Sequence, residues 1–183
     1  MTTKRTPAEN IEIVWQNVEA AFLADARARL QKMYLPWICQ SLEMLSEEDI
    51  WWRPNPHSNS AGNLVLHLCG NIRQWVITGL TGADDQRQRD AEFAPGQHPS
   101  RAELIELLQQ TLQEVDQVLE HLSPDKLLKY HTIQGFRETG LTAIFHAVEH
   151  FSYHTGQIAY IAKLRGGKPT HFYDDNQLNT PKS

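Results

Sequence analysis

Apolar residues recur at helical spacing in four long stretches of the chain, separated by segments rich in proline, glycine and charge. The first runs from Ile11 to about Met44 and is rich in Ala, Leu, Glu, Gln and Arg, all good helix formers. Pro36 interrupts it, which predicts a kink or a break near Tyr34-Leu35. Ser58 or Ser60 caps a second helix that runs to about Leu80. Ser100 with Glu103 is a capping-box pattern opening a third, to about Leu122, whose Leu104, Leu107, Leu108, Leu112, Val115 and Leu119 keep one face. The fourth spans Thr142–Leu164 and stops at Gly166-Gly167.

The connecting segments read differently. Ser46–Asp49 is a stop, a cap and a short turn. The run WWRPNP from Trp51 to Pro56 cannot be helix and is expected to lay two indoles over one end of the helices. Residues 81–99, with two glycines, two prolines and the charge run Asp84–Asp90, read as a loop, and 123–139 as irregular with one short turn at Pro124–Leu127. No strand pair is expected. The prediction is an all-α chain: one domain, an antiparallel four-helix bundle with its core in about 11–166. Residues 1–10 are expected to fray and 167–183 to form a polar, loosely attached extension.

Composition narrows the class without choosing a function. The 183 residues are 40% hydrophobic and 21% charged, as in ordinary globular domains, and suffice for one proper core. The net charge of −5 and the lack of a basic block exclude a nucleic-acid partner. No apolar run is long enough to cross a membrane, and MTTKRTPAEN lacks the apolar core of a secretory signal, so a cytoplasmic location is expected. Cys39 and Cys69 both fall in helical sequence and read as free buried thiols.

The candidate chemistry lies in the fourth helix, TAIFHAVEHFSYHTGQIAYIAKL, where His146, His150 and His154 follow one another at four-residue intervals. Four residues advance a helix by about 400°, so neighbours in this series share a face and can share a metal ion. On a wheel with Gly140 at zero, His154 falls at about 320°, inside the apolar arc of Ile144, Ala147, Phe151 and Ile158. His150 falls at its edge with Gln157, and His146 a step further out. Two readings stand: a buried ligand pair His150/His154, or partly buried imidazoles bonded to backbone and water.

The second helix bears on the choice. Opposite its Leu64, Leu68, Ile72 and Val76 it carries His67 with Asn63, Asn71, Gln74 and Thr78, a stripe of neutral polar groups on a helix with one charge, Arg73. Solvated faces carry Lys and Glu; uncharged polar groups suit a pocket lining. His67, His150 and His154 make a plausible three-nitrogen site, with Asn63, Asn71 and Gln74 placed to orient a ligand or water and Gln157 as an outer acceptor. Asn71 and Gln74 are the candidate catalytic residues.

The segments NSAGNLVLHLCGNIRQW and HAVEHFSYHTGQIAYIAKL together resemble the DinB-like superfamily, in its branch of uncharacterised bacterial proteins. The resemblance covers roughly Ala20 to Leu164. It rests on the single His of the second helix and the H-x3-H pair of the last. It implies a metal-binding four-helix bundle, often dimeric, with His67, His150 and His154 as ligands of a divalent ion and His146 outside the set. It also implies a metal-dependent enzyme acting on a small molecule, in the manner of relatives that are thiol S-transferases or isomerases using a low-molecular-weight thiol. A metal-dependent hydrolase and a non-catalytic metal-binding interaction module are the alternatives. Three imidazoles accept nickel or zinc, and also iron, cobalt, manganese or copper. His57, His98, His121, His131 and His171 read as solvent-exposed, with His57 placed to approach the pocket mouth, and Glu149 faces away from the ligands. Finally, Phe145, Gly156 and Tyr160 lie opposite the core arc, which predicts a homodimer formed over that strip.

Overall fold

The computed structural model describes residues 7–94 and 98–173, the side chains of 7–17 excepted. Its architecture is an antiparallel four-helix bundle. The first arm is α1 (Pro7–Arg29), a π-helical turn (Leu30–Tyr34) and α2 (Leu35–Glu43). Pro36 neither breaks nor ends this arm. The turn before it bonds five residues back, with the Leu35 N–H donating to the Leu30 carbonyl, and this absorbs the proline within a continuous helical run. The helix begins at Pro7, so fraying does not extend through residue 10; residues 1–6 lie outside the described residues.

A one-turn helix, α3 (Glu47–Ile50), is capped by Ser46, whose Oγ accepts from the Asp49 N–H. The aromatic connector then leads to the second arm: α4 (Ala61–Ile72), a second π-helical turn (Arg73–Thr78) and α5 (Gly79–Thr81). Ser60 is the cap, and its partner in the capping box is Asn63. A 3-10 turn at Arg89–Phe93 precedes the third arm, α6 (Arg101–Glu120), which carries the Ser100/Glu103 capping box. After α7 (Asp125–Leu128) comes a feature that the sequence reading missed. Two short antiparallel strands, β1 (Tyr130–Ile133) and β2 (Phe136–Thr139), pair Tyr130 with Thr139 and Ile133 with Phe136. The hairpin turns on Gln134 and Gly135, at φ 52° and 82°, the left-handed pair that a tight two-residue turn requires. The fourth arm, α8 (Gly140–Gly166), starts directly from β2 with Thr139 as its cap.

The core lies between the arms. Leu30, Ile38 and Leu42 of the first arm meet Leu64, Leu68 and Ile72 of the second, Leu104, Leu108 and Leu112 of α6, and Ile144, Phe151 and Ile158 of α8, all essentially sealed from solvent. Each such side chain contributes roughly 1.5–3 kcal/mol of burial. Two indoles cover one end as expected: Trp51 packs beside Gly62 and stacks on His98 at 4.0 Å, and Trp52 lies under the Arg165 guanidinium at 4.8 Å. The start of the C-terminal extension is not loose. Phe172 stacks on Trp37 at 4.9 Å and Gln40 donates to the Thr170 carbonyl at 2.5 Å; residues 174–183 lie outside the described residues. No helix among the described residues is long and apolar enough to cross a membrane. Both cysteines are free thiols, and burial pushes the Cys69 thiol up to about 12.

Candidate metal centre

Helices α4 and α8 pack against each other through the bundle and bring His67 together with His150 and His154. One nitrogen from each ring lies within 4.8 Å of the others, and His67 Nε2 stands 2.9 Å from His150 Nε2. His67 and His154 are buried and His150 half-buried. The outer nitrogens of two rings are tethered. His67 Nδ1 is 2.8 Å from Glu92 Oε2, and His154 Nδ1 is 2.7 Å from Gln157 Oε1. A carboxylate and an amide oxygen only accept, so each holds the imidazole proton on Nδ1 and leaves the Nε2 lone pair turned inward. Arg87 Nη2 also lies 3.2 Å from His67 Nδ1, but it cannot donate to a nitrogen that already carries a proton; it sits there because it donates to Glu92 Oε2 at 2.9 Å.

This donor set fits a divalent ion. Two nitrogens bound to one ion at about 2.1 Å would stand about 3.0–3.4 Å apart, close to the His67–His150 separation. His150 has no such tether, so its Nε2 can carry the proton and donate to His67 Nε2 until an ion takes that proton's place between the two rings. Burial lowers the proton affinity of His150, to about 3, with His154, His67, His146 and Arg87 adding to the effect. Burial likewise lowers that of His154. Both rings are therefore neutral at pH 7, the form that ligates metal.

His67 is held by a network that the sequence reading did not find. Glu92, 8% exposed, accepts from Arg87 Nε at 2.7 Å and from Nη2, and Arg87 Nη1 donates to Gln74 Oε1 at 2.8 Å. The charge run is thus not simply a solvated loop: its Arg87 and the nearby Glu92 turn inward against α4. They fit there because residue 70 is glycine. A Cβ at that position would collide with Glu92 Oε1 and crowd Arg87 Nε at 3.0 Å. Gly70 in mid-helix is the signal that the sequence did carry, since such a glycine costs about 1 kcal/mol against alanine and marks a close approach.

The other expected site residues divide. Asn71 is buried, its Oδ1 has no partner among the described residues, and it lines a cavity of about 430 Å³ walled by His67 and His150. Gln74 is not free to orient a ligand, because Asp85, Arg87 and Gln134 all engage its amide. Asn63 is likewise committed: its Oδ1 accepts from Arg53 and Ser60, and its Nδ2 donates to the Glu92 carbonyl. Gln157 is the outer acceptor of His154, as above. His146 lies outside the three-nitrogen group, half-buried, tilted against Trp75 at 4.1 Å and beside His150 at 5.5 Å. Of the histidines expected on the surface, His57, His98, His121 and His171 are exposed, whereas His131 is half-buried in β1. His57 lines a second cavity of about 530 Å³, which reaches Gln157 and is walled by Trp52, Tyr153 and Tyr160. Glu149 is exposed on the back of α8.

Fold and site define a helical bundle with a buried three-histidine cluster that could hold a metal ion. The chain belongs to the family described as "Protein of unknown function (DUF1572)", whose model matches residues 17–170. Among solved structures it is similar to a DinB-like protein from Bacillus cereus ATCC 10987, with a TM-score of 0.61 at 14% identity over 76% of this chain and 91% of that one. A DinB-like protein from Bacillus subtilis gives 0.57 at 18% identity over 76% and 91%. A conserved protein from Enterococcus faecalis gives 0.56 at 16% identity over 83% and 97%. These likenesses establish the DinB-like fold. No curated protein matches the chain in sequence.

Proposed function

We propose that His67, His150 and His154 hold one divalent cation and that the protein uses it as an enzyme acting on a small molecule, most simply in transfer of a thiol sulfur. The observation that carries the reading is the convergence of the three imidazoles, two of them with the outer nitrogen tethered. An ion on three protein ligands keeps a position for an exogenous donor and lowers the pKa of a thiol or water that takes it. The chain's own residues do the rest. Glu92 and Gln157 fix the tautomer and direction of His67 and His154, and Arg87 holds Glu92 in its ionised form. The aromatic and aliphatic packing of Trp75, Ile72 and Phe151 keeps bulk water from the inner side of the site.

Metal analysis of the purified protein tests the first part. His67→Ala, His150→Ala and His154→Ala should each abolish stoichiometric metal, and His146→Ala should retain most of it. Equal loss in the His146 variant would mean that the ligand set is wrong. A screen of thiol acceptors with the metal-loaded protein tests the second part, with hydrolysis products assayed alongside. Full metal occupancy with no turnover of any compound would favour a non-catalytic binding module.

A further inference from the structure

We propose that the cavity on the hairpin side of the three histidines receives a small zwitterion, a molecule that carries a carboxylate and an ammonium group besides the atom it presents to the metal; this rests on the three-histidine reading above. The cavity, about 430 Å³, has His67 and His150 in its wall, so an occupant reaches the ligand nitrogens directly. Its volume suits a molecule the size of an amino acid or a short peptide.

Charge decides the chemistry. Three charged side chains line the cavity. Arg87 is neutralised by Glu92, to which it donates from both Nε and Nη2. Arg89 and Glu138 are different. Arg89 comes from the 3-10 turn and lies over the Phe93 ring at 5.5 Å; Glu138 comes from β2. Neither forms an ion pair among the described residues, with each other or with any third group. One cation and one anion therefore line the same opening from two different elements without pairing with one another. A molecule bearing both opposite charges bridges them, and one bearing a single charge leaves one of the two unmatched. Asn71 lies in the same lining, a buried neutral amide whose Oδ1 has no partner among the described residues.

The test uses three thiols that differ only in charge: L-cysteine, cysteamine with the ammonium alone, and 3-mercaptopropionate with the carboxylate alone. Each is titrated into the full-length protein loaded with cobalt(II), and binding is read from sulfur-to-cobalt absorption. Cysteine is expected to bind at least about tenfold more tightly than either single-charge thiol, the scale of a hydrogen bond to a charged group. Arg89→Ala should remove the preference over cysteamine. Glu138→Gln should remove the preference over 3-mercaptopropionate. Neither variant should alter cobalt stoichiometry. A single-charge thiol that binds as tightly as cysteine, or a ranking unchanged in both variants, overturns the zwitterion while the metal site stands. Failure to take up cobalt overturns both.

Discussion

Replacing Glu92 by glutamine tests whether the site is held from outside the ligand set. The exchange keeps size and removes charge. In the native protein Arg87, with its side chain only 5% exposed, spends two donors on Glu92 and one on Gln74. Glutamine leaves one oxygen to accept and turns an amino group toward the guanidinium. Breaking a buried ion pair by removing one partner costs roughly 3–5 kcal/mol. Because glutamine keeps one acceptor in place, a cost just below that range, about 2–3 kcal/mol, is expected here. For a chain of this length that lowers Tm by about 4–12 °C. His67 is left with a neutral amide acceptor in place of the carboxylate, and outer partners of metal-bound histidines are worth about 10–100-fold in metal affinity. The assays are thermal melting of the metal-free protein and metal titration against a chromophoric chelator. Gly70→Ala should reproduce both losses, because its Cβ occupies the place of the Glu92 carboxylate, although alanine alone would favour the helix by about 1 kcal/mol. The same exchange at the exposed Glu48 is the control. If Glu92→Gln melts with the wild type and binds metal equally well, or Gly70→Ala stabilises the protein, the inward network is not what holds His67.

Chelation should lower Tm modestly and leave the helical circular dichroism in place, because the apolar core extends through all four arms and does not depend on the ion; complete unfolding would refute this. Asp116 is held below the usual carboxylate range by its hydrogen bonds to Arg27, so its contribution is present above the unfolded value near about 3.9 and is lost as pH falls through the folded one. Asp116→Asn should cost about 1 kcal/mol at pH 7 and less as the pH falls through the folded value, read as a gap between the two melting temperatures that narrows on acidification; a gap that does not change with pH would show that the ion pair is not its source. The back of α8 is expected to form a homodimer. Phe145 is 57% and Tyr160 64% exposed, and a Cβ at Gly156 would meet nothing within 4 Å. Light scattering should give a dimer for the wild type and a weakened one for Tyr160→Glu, and a monomeric wild type would remove this surface as an interface.

The four arms, the caps at Ser100 and the end of α8, the choice of Ser58 or Ser60 as the cap of the second arm, and the faces that carry His67, His150 and His154 were all legible in the sequence. Helical period and capping are local properties, written within about four residues of where they act. Local pattern also placed His146 outside the pair, because a wheel orders positions on one helix without reference to any other. What lay beyond reach was whatever depends on which segments meet. The π-helical turn that accommodates Pro36 is an adjustment of a packed helix, invisible in a rule that proline breaks helices. The Gln134-Gly135 hairpin lacks the Asn-Gly or Asp-Gly turn that would have announced it, and its strands are four residues each, too short for alternation to register. Glu92 and Arg87 look in sequence like any charged loop. They become inner residues only because α4 offers the gap at Gly70, and because each neutralises the other once water is excluded. For the same reason Asn63 and Gln74, which share a polar stripe with Asn71, end as scaffolding while Asn71 faces the cavity. One helix can declare which side is polar, but the hydrogen-bond partners come from the cap, the loop and the hairpin that fold onto it.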